Sequence, residues 1–248
     1  MTKNKIKVKI FNDFNLASQY AANLIITAIQ NKPELVLGLA TGSTPEKLYN
    51  LLINAYKNKI VDFSKIITCN LDEYYPIDRS HNQSYWNFMH EKLFNHINIH
   101  PDNKHILNGE VENINLECDQ YEMKIKKAGG IDLQILGIGN NGHIAFNEPG
   151  SNFKSRTRLV QLEMDTIEAN SRFFKSKEQV PKQALTMGLG TIMGAKKIIL
   201  LASGENKASA IKQSFNGPVS ESRPASILQK HSDCTFILEK EAASLLNN

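Results

Sequence analysis

Four short stretches gather hydroxyl, carboxylate, imidazole and ammonium groups directly behind apolar runs. They are Thr41-Gly42-Ser43-Thr44-Pro45, Asp72-Glu73, residues 137–148, and Ser203-Gly204-Glu205-Asn206-Lys207. In the first, Gly42 permits close backbone approach. Free N–H groups at a helix start, with the Ser43 and Thr44 hydroxyls, suit a phosphate. Thr44 fits the N-cap and Pro45 the first helical position. A plain capped helix would look the same, and the Gly-Lys-Ser/Thr of a Walker A loop is missing. In the second, successive strand residues point to opposite faces, so only one of Asp72 and Glu73 enters a given cleft. That is a poor glycosidase pair but a workable single carbon-acid base, if burial lifts its pKa toward neutrality. A capping or solvated acid is the plainer alternative.

The third stretch matches G-x-G-x-x-G through Gly137, Gly139 and Gly142. Pro149-Gly150 ends any helix soon after Gly142, and no ribose-binding acid follows in clear register. The glycines therefore read as a tight turn presenting Asn141 and His143, not as a dinucleotide site. His143 and Glu148 are spaced His-x-x-x-x-Glu, which is not a helical metal pair. On a loop, Glu148 could accept from one ring nitrogen, fix the tautomer and leave the other nitrogen free for proton transfer. A buried, satisfied histidine is the alternative. In the fourth stretch Lys207 falls in a first helical turn, within reach of an anion. Arg172, flanked by apolar residues, could hold a phosphate bidentately. Each cation taken alone reads equally as solvated or structural. His81, His90, His96, His100, His105 and His231 show no ligand spacing and read as structural or solvated, so no metal is expected.

The elements that must position these residues alternate. Apolar runs predict strands at 7–11, 35–40, 66–71, 131–138, 197–202 and 235–238. Amphipathic patterns predict helices at 16–30, 46–57, 85–94, 115–127, 182–193, 207–215 and 224–229. Runs such as Leu-Val-Leu-Gly-Leu-Ala suit strands buried on both faces of a parallel sheet. The expectation is α/β: one doubly wound, Rossmann-like domain over 1–248, with a mainly parallel sheet and helices on both faces. Ligands in such sheets bind outside the carboxyl ends of the strands, which brings all four stretches to one rim. Residues 151–179 are polar with no clear element, and a mobile flap is expected around 151–180.

The 248 residues are 41% hydrophobic and 22% charged, which excludes wholesale disorder. The net charge of +4 is spread along the chain and gives no nucleic-acid footprint. Cys69, Cys118 and Cys234 are odd in number and far apart, which argues against a disulfide framework or zinc ribbon. The N-terminus alternates Lys with apolar residues and lacks the apolar core of a signal peptide. No stretch approaches the ~20 apolar residues that span a bilayer. A soluble cytoplasmic protein, without nucleic-acid or membrane partners, is the expectation.

The chain resembles the glucosamine-6-phosphate deaminases (glucosamine-6-phosphate isomerases). The matching stretches are Leu37-Gly-Leu-Ala-Thr-Gly-Ser-Thr-Pro45, Asn70-Leu-Asp-Glu-Tyr74, Gly137-Ile-Gly-Asn-Asn-Gly-His-Ile-Ala-Phe-Asn-Glu-Pro-Gly150, Ser155-Arg-Thr-Arg158, Ala169-Asn-Ser-Arg-Phe-Phe174 and Ala184-Leu-Thr-Met-Gly188. They are collinear over nearly the whole chain, and the Gly-His-Ile-Ala-Phe-Asn-Glu-Pro-Gly stretch is highly specific. The resemblance implies conversion of D-glucosamine 6-phosphate and water to D-fructose 6-phosphate and ammonia, with no metal or organic cofactor. It implies Asp72 as the base at C2, and His143 as the ring-opening group assisted by Glu148 and Asn141. Gly42, Ser43, Thr44, Arg172 and Lys207 would hold the phosphate.

Two departures qualify the resemblance. Many members carry Asp where this chain has Asn141, so that position would hydrogen-bond without titrating. The hexameric, allosterically activated members use a basic position two residues after Arg158 and a longer C-terminal tail. Here the position is Val160 and the sequence stops at Asn248. Weak or absent activation by N-acetylglucosamine 6-phosphate follows, with a monomer or small homo-oligomer. A non-catalytic sugar-phosphate sensor would need only the phosphate site, and a lactonase of the same fold would need no C2 base.

Overall fold

The computed structural model describes residues 6–246. Strands β1 (Lys7–Phe11), β2 (Val36–Leu39), β3 (Ile67–Asn70), β5 (Lys104–His105), β6 (Leu133–Leu136), β9 (Lys197–Ala202) and β10 (Cys234–Glu239) form one sheet in the order β1-β10-β9-β6-β2-β3-β5. All its pairings are parallel. Every residue of β2 and β6 is buried, on both faces of the pleat. Both faces must therefore be covered, as the apolar runs predict. The cover comes from α1 (Phe14–Asn31), α2 (Ser43–Lys57), α3 (Tyr85–Lys92), α4 (Ile114–Lys127) and α7 (Ala208–Asn216), with short helical turns between them. Side-chain caps start three of these helices: Asp13 accepts from Leu16 N, Ser84 from Asn87 N, and Asn113 from Leu116 N.

The strand order locates the site. From β2 the chain moves outward to β3 and then β5, returns to the other side of β2 as β6, and continues to β9 and β10. The reversal lies between β2 and β6. A crevice opens at such a switch point, outside the carboxyl ends of the two strands. The loops leaving them are 40–44 and 137–143, two of the chemically loaded stretches.

A second, antiparallel sheet of three short strands was not visible in the sequence. Strands β4 (Asp72–Tyr75), β8 (Gln183–Thr186) and β7 (Arg158–Gln161) pair in the order β4-β8-β7. Residues 182–193 therefore do not form the predicted helix. They supply β8 and a single helical turn, α6 (Leu189–Ile192), separated by Gly188. A Cβ at Gly188 would stand 2.2 Å from the Ser155 carbonyl oxygen, so the close crossing of the two segments requires glycine. Residues 151–179, read as lacking elements, contain β7 and α5 (Met164–Ser171). Together with Tyr74, Phe146 and Val180, Leu162 and Ile167 of this region build a small core of their own. A single residue, Leu71, joins β3 of the large sheet to β4 of the small one, so Asp72 sits at their junction. The three cysteines are free, in keeping with their spacing, and they are buried.

Candidate active site

The crevice at the switch point is a cavity of about 680 Å³. Among its lining residues are Gly42, Ser43, Thr44, Asp72, Asn141, His143, Arg172 and Lys207. Eight of the nine residues singled out in the sequence thus share one cavity. The ninth, Glu148, lies behind His143 and is not part of the wall.

One end of the cavity is suited to an anion. Helix α2 begins at Ser43, one residue before the predicted cap, and Gly42 occupies the N-cap with no side-chain hydrogen bond. Thr44 is therefore inside the helix, and Pro45 stands third, where its missing N–H costs nothing. The N–H groups of Ser43 and Thr44 are left for a ligand, and the helix dipole favours negative charge there. Gly42 adopts φ 87°, a left-handed conformation that glycine takes without strain. Arg172, just past the end of α5, brings Nη2 to 3.5 Å from Ser43 Oγ and stacks its guanidinium on Phe173. Lys207, where the short turn Glu205–Lys207 enters α7, faces the same space. Burial and then the Arg172 charge push its ammonium below the ordinary range. Among the described residues neither cation is ion-paired with a carboxylate. Two such cations beside an open helix start form a place for a phosphate-like dianion.

The same cavity holds groups able to transfer protons. Asp72 is buried, and desolvation and then the Glu73 charge lift its carboxyl from the ordinary 3.8 to about 8, with the Thr41 hydroxyl holding it back in part. Glu73 turns away, as strand alternation requires. Its carboxylate accepts from Tyr74 N at 2.9 Å, Tyr85 N at 2.8 Å and Trp86 N at 2.8 Å, and so closes the start of α3. Burial raises Glu73 too, to about 7, while the three N–H donors oppose the shift. Of the two acids, Glu73 has its charge met by three backbone N–H groups, and Asp72 is the one that lines the cavity.

His143 is held by the turn before it. The N–H of Gly139 donates to the His143 carbonyl at 2.9 Å, and the N–H of Gly142 to the Gly139 carbonyl at 3.0 Å. A Cβ at Gly139 would stand 2.2 Å from the imidazole ring, so glycine makes room for the ring itself. No helix follows Gly142, in keeping with the rejection of a dinucleotide turn. His143 Nδ1 faces Glu148 Oε2 at 3.3 Å, in ion-pairing range but outside good hydrogen-bond geometry. Asn141 donates from Nδ2 to Glu148 Oε2 at 2.9 Å and accepts the His143 N–H at 3.1 Å. Burial pushes the Glu148 carboxyl up, but His143, Thr166 and Asn141 outweigh it, and the net shift is downward.

His231 is buried between the Ala195 carbonyl and the Asp233 N–H, a structural histidine as expected. The described residues hold no cluster of three His, Cys, Asp or Glu that could bind a metal. Thr41, Tyr85, Thr166 and Phe173, to which the sequence assigns no role, also line the cavity. Thr41 could have been found, because it stands in the same loop as Gly42. The other three belong to elements whose tertiary placement the sequence does not signal.

A family model described as glucosamine-6-phosphate isomerases/6-phosphogluconolactonase matches residues 14–237. The chain belongs to this family. A glucosamine-6-phosphate deaminase of Clostridium novyi is 56% identical over 241 residues, covering 97% of this chain and all of that protein. One from Thermoanaerobacter sp. is 54% identical, covering 97% of this chain and 95% of that one. Among solved structures, a monomeric glucosamine-6-phosphate deaminase superposes with a TM-score of 0.95 at 45% identity, over 97% of this chain and all of that one. A 6-phosphogluconolactonase from Trypanosoma cruzi superposes at 0.80 with 24% identity, over 99% and 98%, and shares the fold. Both branches of the family therefore have this architecture, and the distinction rests on the site.

Proposed function

We infer that this member of the family is a glucosamine-6-phosphate deaminase, converting D-glucosamine 6-phosphate and water to D-fructose 6-phosphate and ammonia. The observation that carries this reading is the buried carboxylate of Asp72 in one cavity with His143 and the anion site. The phosphate docks on the N–H groups and hydroxyls of Ser43 and Thr44, the open backbone at Gly42, and the cations Arg172 and Lys207. This fixes the far end of the sugar and orients the reacting carbons. His143, backed by Glu148 and Asn141, moves the proton that opens the pyranose ring. Asp72 then removes the C2 proton of the open chain and returns a proton at C1. The product is a C2 iminium, to which water adds and from which ammonia leaves. Protonated Asp72 must ionise before it acts, so its high pKa gives a strong base near neutral pH.

Amino-sugar catabolism is the setting that this chemistry fits. We propose that the chain acts as one functional domain, with residues 151–180 as a flap whose α5 closes the cavity. No helix among the described residues is long and apolar enough to cross a membrane, and a cytoplasmic enzyme is the proposal. The state proposed is a monomer or small homo-oligomer, because Val160 offers no charge at the position activated relatives use. The test is to offer the protein glucosamine 6-phosphate and 6-phosphogluconolactone separately. Ammonia from the first and no acceleration of the second supports the reading. Lactone hydrolysis without ammonia overturns it in favour of the other branch, and binding without turnover in favour of a sensor.

A further inference from the structure

Glu148 faces His143 through one oxygen, and the other oxygen has a different partner. Asn141 and His143 both address Oε2. Oε1 accepts a hydrogen bond from the Thr166 hydroxyl, and among the described residues this is its one hydrogen bond. Thr166 is buried, and it lies in the first turn of α5, in the region where the sequence shows no element. The terminal torsion of a glutamate is soft and roughly two-fold. A donor fixed on Oε1 locks that torsion and so aims Oε2. A threonine on a helix is confined to two χ1 rotamers, so the donor has few directions to point.

The rest of the catalytic loop is anchored elsewhere. Phe146 N–H donates to Thr186 Oγ1 at 3.1 Å, Asn147 Nδ2 to the Met187 carbonyl at 2.9 Å, and Arg158 Nη1 to Asn147 Oδ1 at 2.9 Å. These bonds hold the backbone on the small sheet but leave the Glu148 carboxylate free to turn. Thr166 takes no part in these anchors, and among the described residues its hydroxyl bonds only the acid.

We propose that Thr166 is a positioning residue for ring opening: its hydroxyl fixes the Glu148 carboxylate, which in turn holds the His143 imidazole in one tautomer, with Nδ1 toward the acid and Nε2 free. This deepens the deaminase reading and rests on it. Among the described residues the Thr166 hydroxyl bonds Glu148 and not Asp72, whose own hydroxyl partner is Thr41, so the C2 base is untouched.

The test compares Thr166→Val, Thr166→Ala and Thr166→Ser by steady-state kinetics and by ¹⁵N NMR of the imidazole. His143→Gln serves to assign the resonance. Removal of an outer partner that orients a metal-ligating histidine costs about 10- to 100-fold, and the same scale is expected for this histidine. Val and Ala are expected to lower kcat by that factor with KM near the wild-type value, and to turn a single His143 tautomer signature into an averaged one. Ser, which keeps the hydroxyl, is expected to restore both. Ala against Ser carries the comparison if Val fails to fold. The proposal is overturned if Val and Ala keep wild-type kcat and imidazole shifts, if KM alone changes, or if Ser fails to rescue, which marks a packing role. An inactive wild type overturns the deaminase reading instead, and the imidazole signature alone then decides whether Thr166 orients the pair.

Discussion

Replacing Asp72 by Asn is expected to abolish turnover while making the protein more stable, by an amount that grows with pH. Folded Asp72 binds its proton up to about pH 8, against an ordinary value of 3.8. Between these values the unfolded chain has released the proton and the folded chain has kept it, so stability falls as pH rises. The full effect is about 1.4 kcal/mol per pH unit. From about pH 6 to about pH 7.5 the wild type therefore loses about 2 kcal/mol from this group, and above about pH 8 the loss levels off. Asn has nearly the same shape, can still pair with the Thr41 hydroxyl, and does not titrate. For a chain of this length 1 kcal/mol corresponds to about 2–4 °C in Tm. The gap between variant and wild type should thus widen by about 4–8 °C over that range. Denaturant melts and thermal scans of both proteins at several pH values measure it. A gap that stays constant with pH, or a variant less stable than wild type throughout, would refute the buried-base reasoning.

Other outcomes follow from the same geometry. Glu73→Gln keeps one acceptor but loses a carboxylate that takes three backbone N–H groups, and should cost about 1–3 kcal/mol in denaturant melts. Gly42→Ala forces a side chain into φ 87°, and should cost about 1–2 kcal/mol and raise KM for the phosphorylated substrate. Arg172→Ala should raise KM at least about tenfold and weaken competitive inhibition by inorganic phosphate, through loss of a charge-assisted contact. Asn141→Asp would set a second carboxylate within 2.9 Å of Glu148 Oε2, so the two must share a proton. Its kcat should then fall as pH rises through the new, raised pKa, a limb absent from the wild-type profile. Substrate curves should be hyperbolic and unmoved by N-acetylglucosamine 6-phosphate, since position 160 is valine; an activator response would contradict this.

The parts of the molecule held by continuous apolar runs were readable in the sequence. β2, β6, β9 and β10 are buried on both faces and announce themselves as Leu, Ile and Val. Their carboxyl-end loops carry the predicted chemistry, because a parallel sheet delivers loops to one rim. The small sheet was not readable, for a physical reason. Asp72–Tyr75 lies past the apolar run 66–71, and becomes a strand of its own because Gln183–Thr186 lies alongside it, far along the chain. Gln-Ala-Leu-Thr is a helical pattern by propensity, and cross-strand pairing overrides it. The start of α2 was misplaced because Ser43, Thr44 and Pro45 are all good first-turn residues, while Gly42 makes the cap with its backbone alone. Thr166 escaped notice for the same reason as β4: its importance lies in a contact with a residue in another element.

The most direct test of the central claim is to incubate EDTA-treated protein with glucosamine 6-phosphate and follow ammonia and fructose 6-phosphate together, in wild type and in Asp72→Asn. Wild type is expected to give equal amounts of the two products, undiminished by the chelator, and the variant neither. Ammonia and fructose 6-phosphate formed as fast by Asp72→Asn would contradict Asp72 as the base.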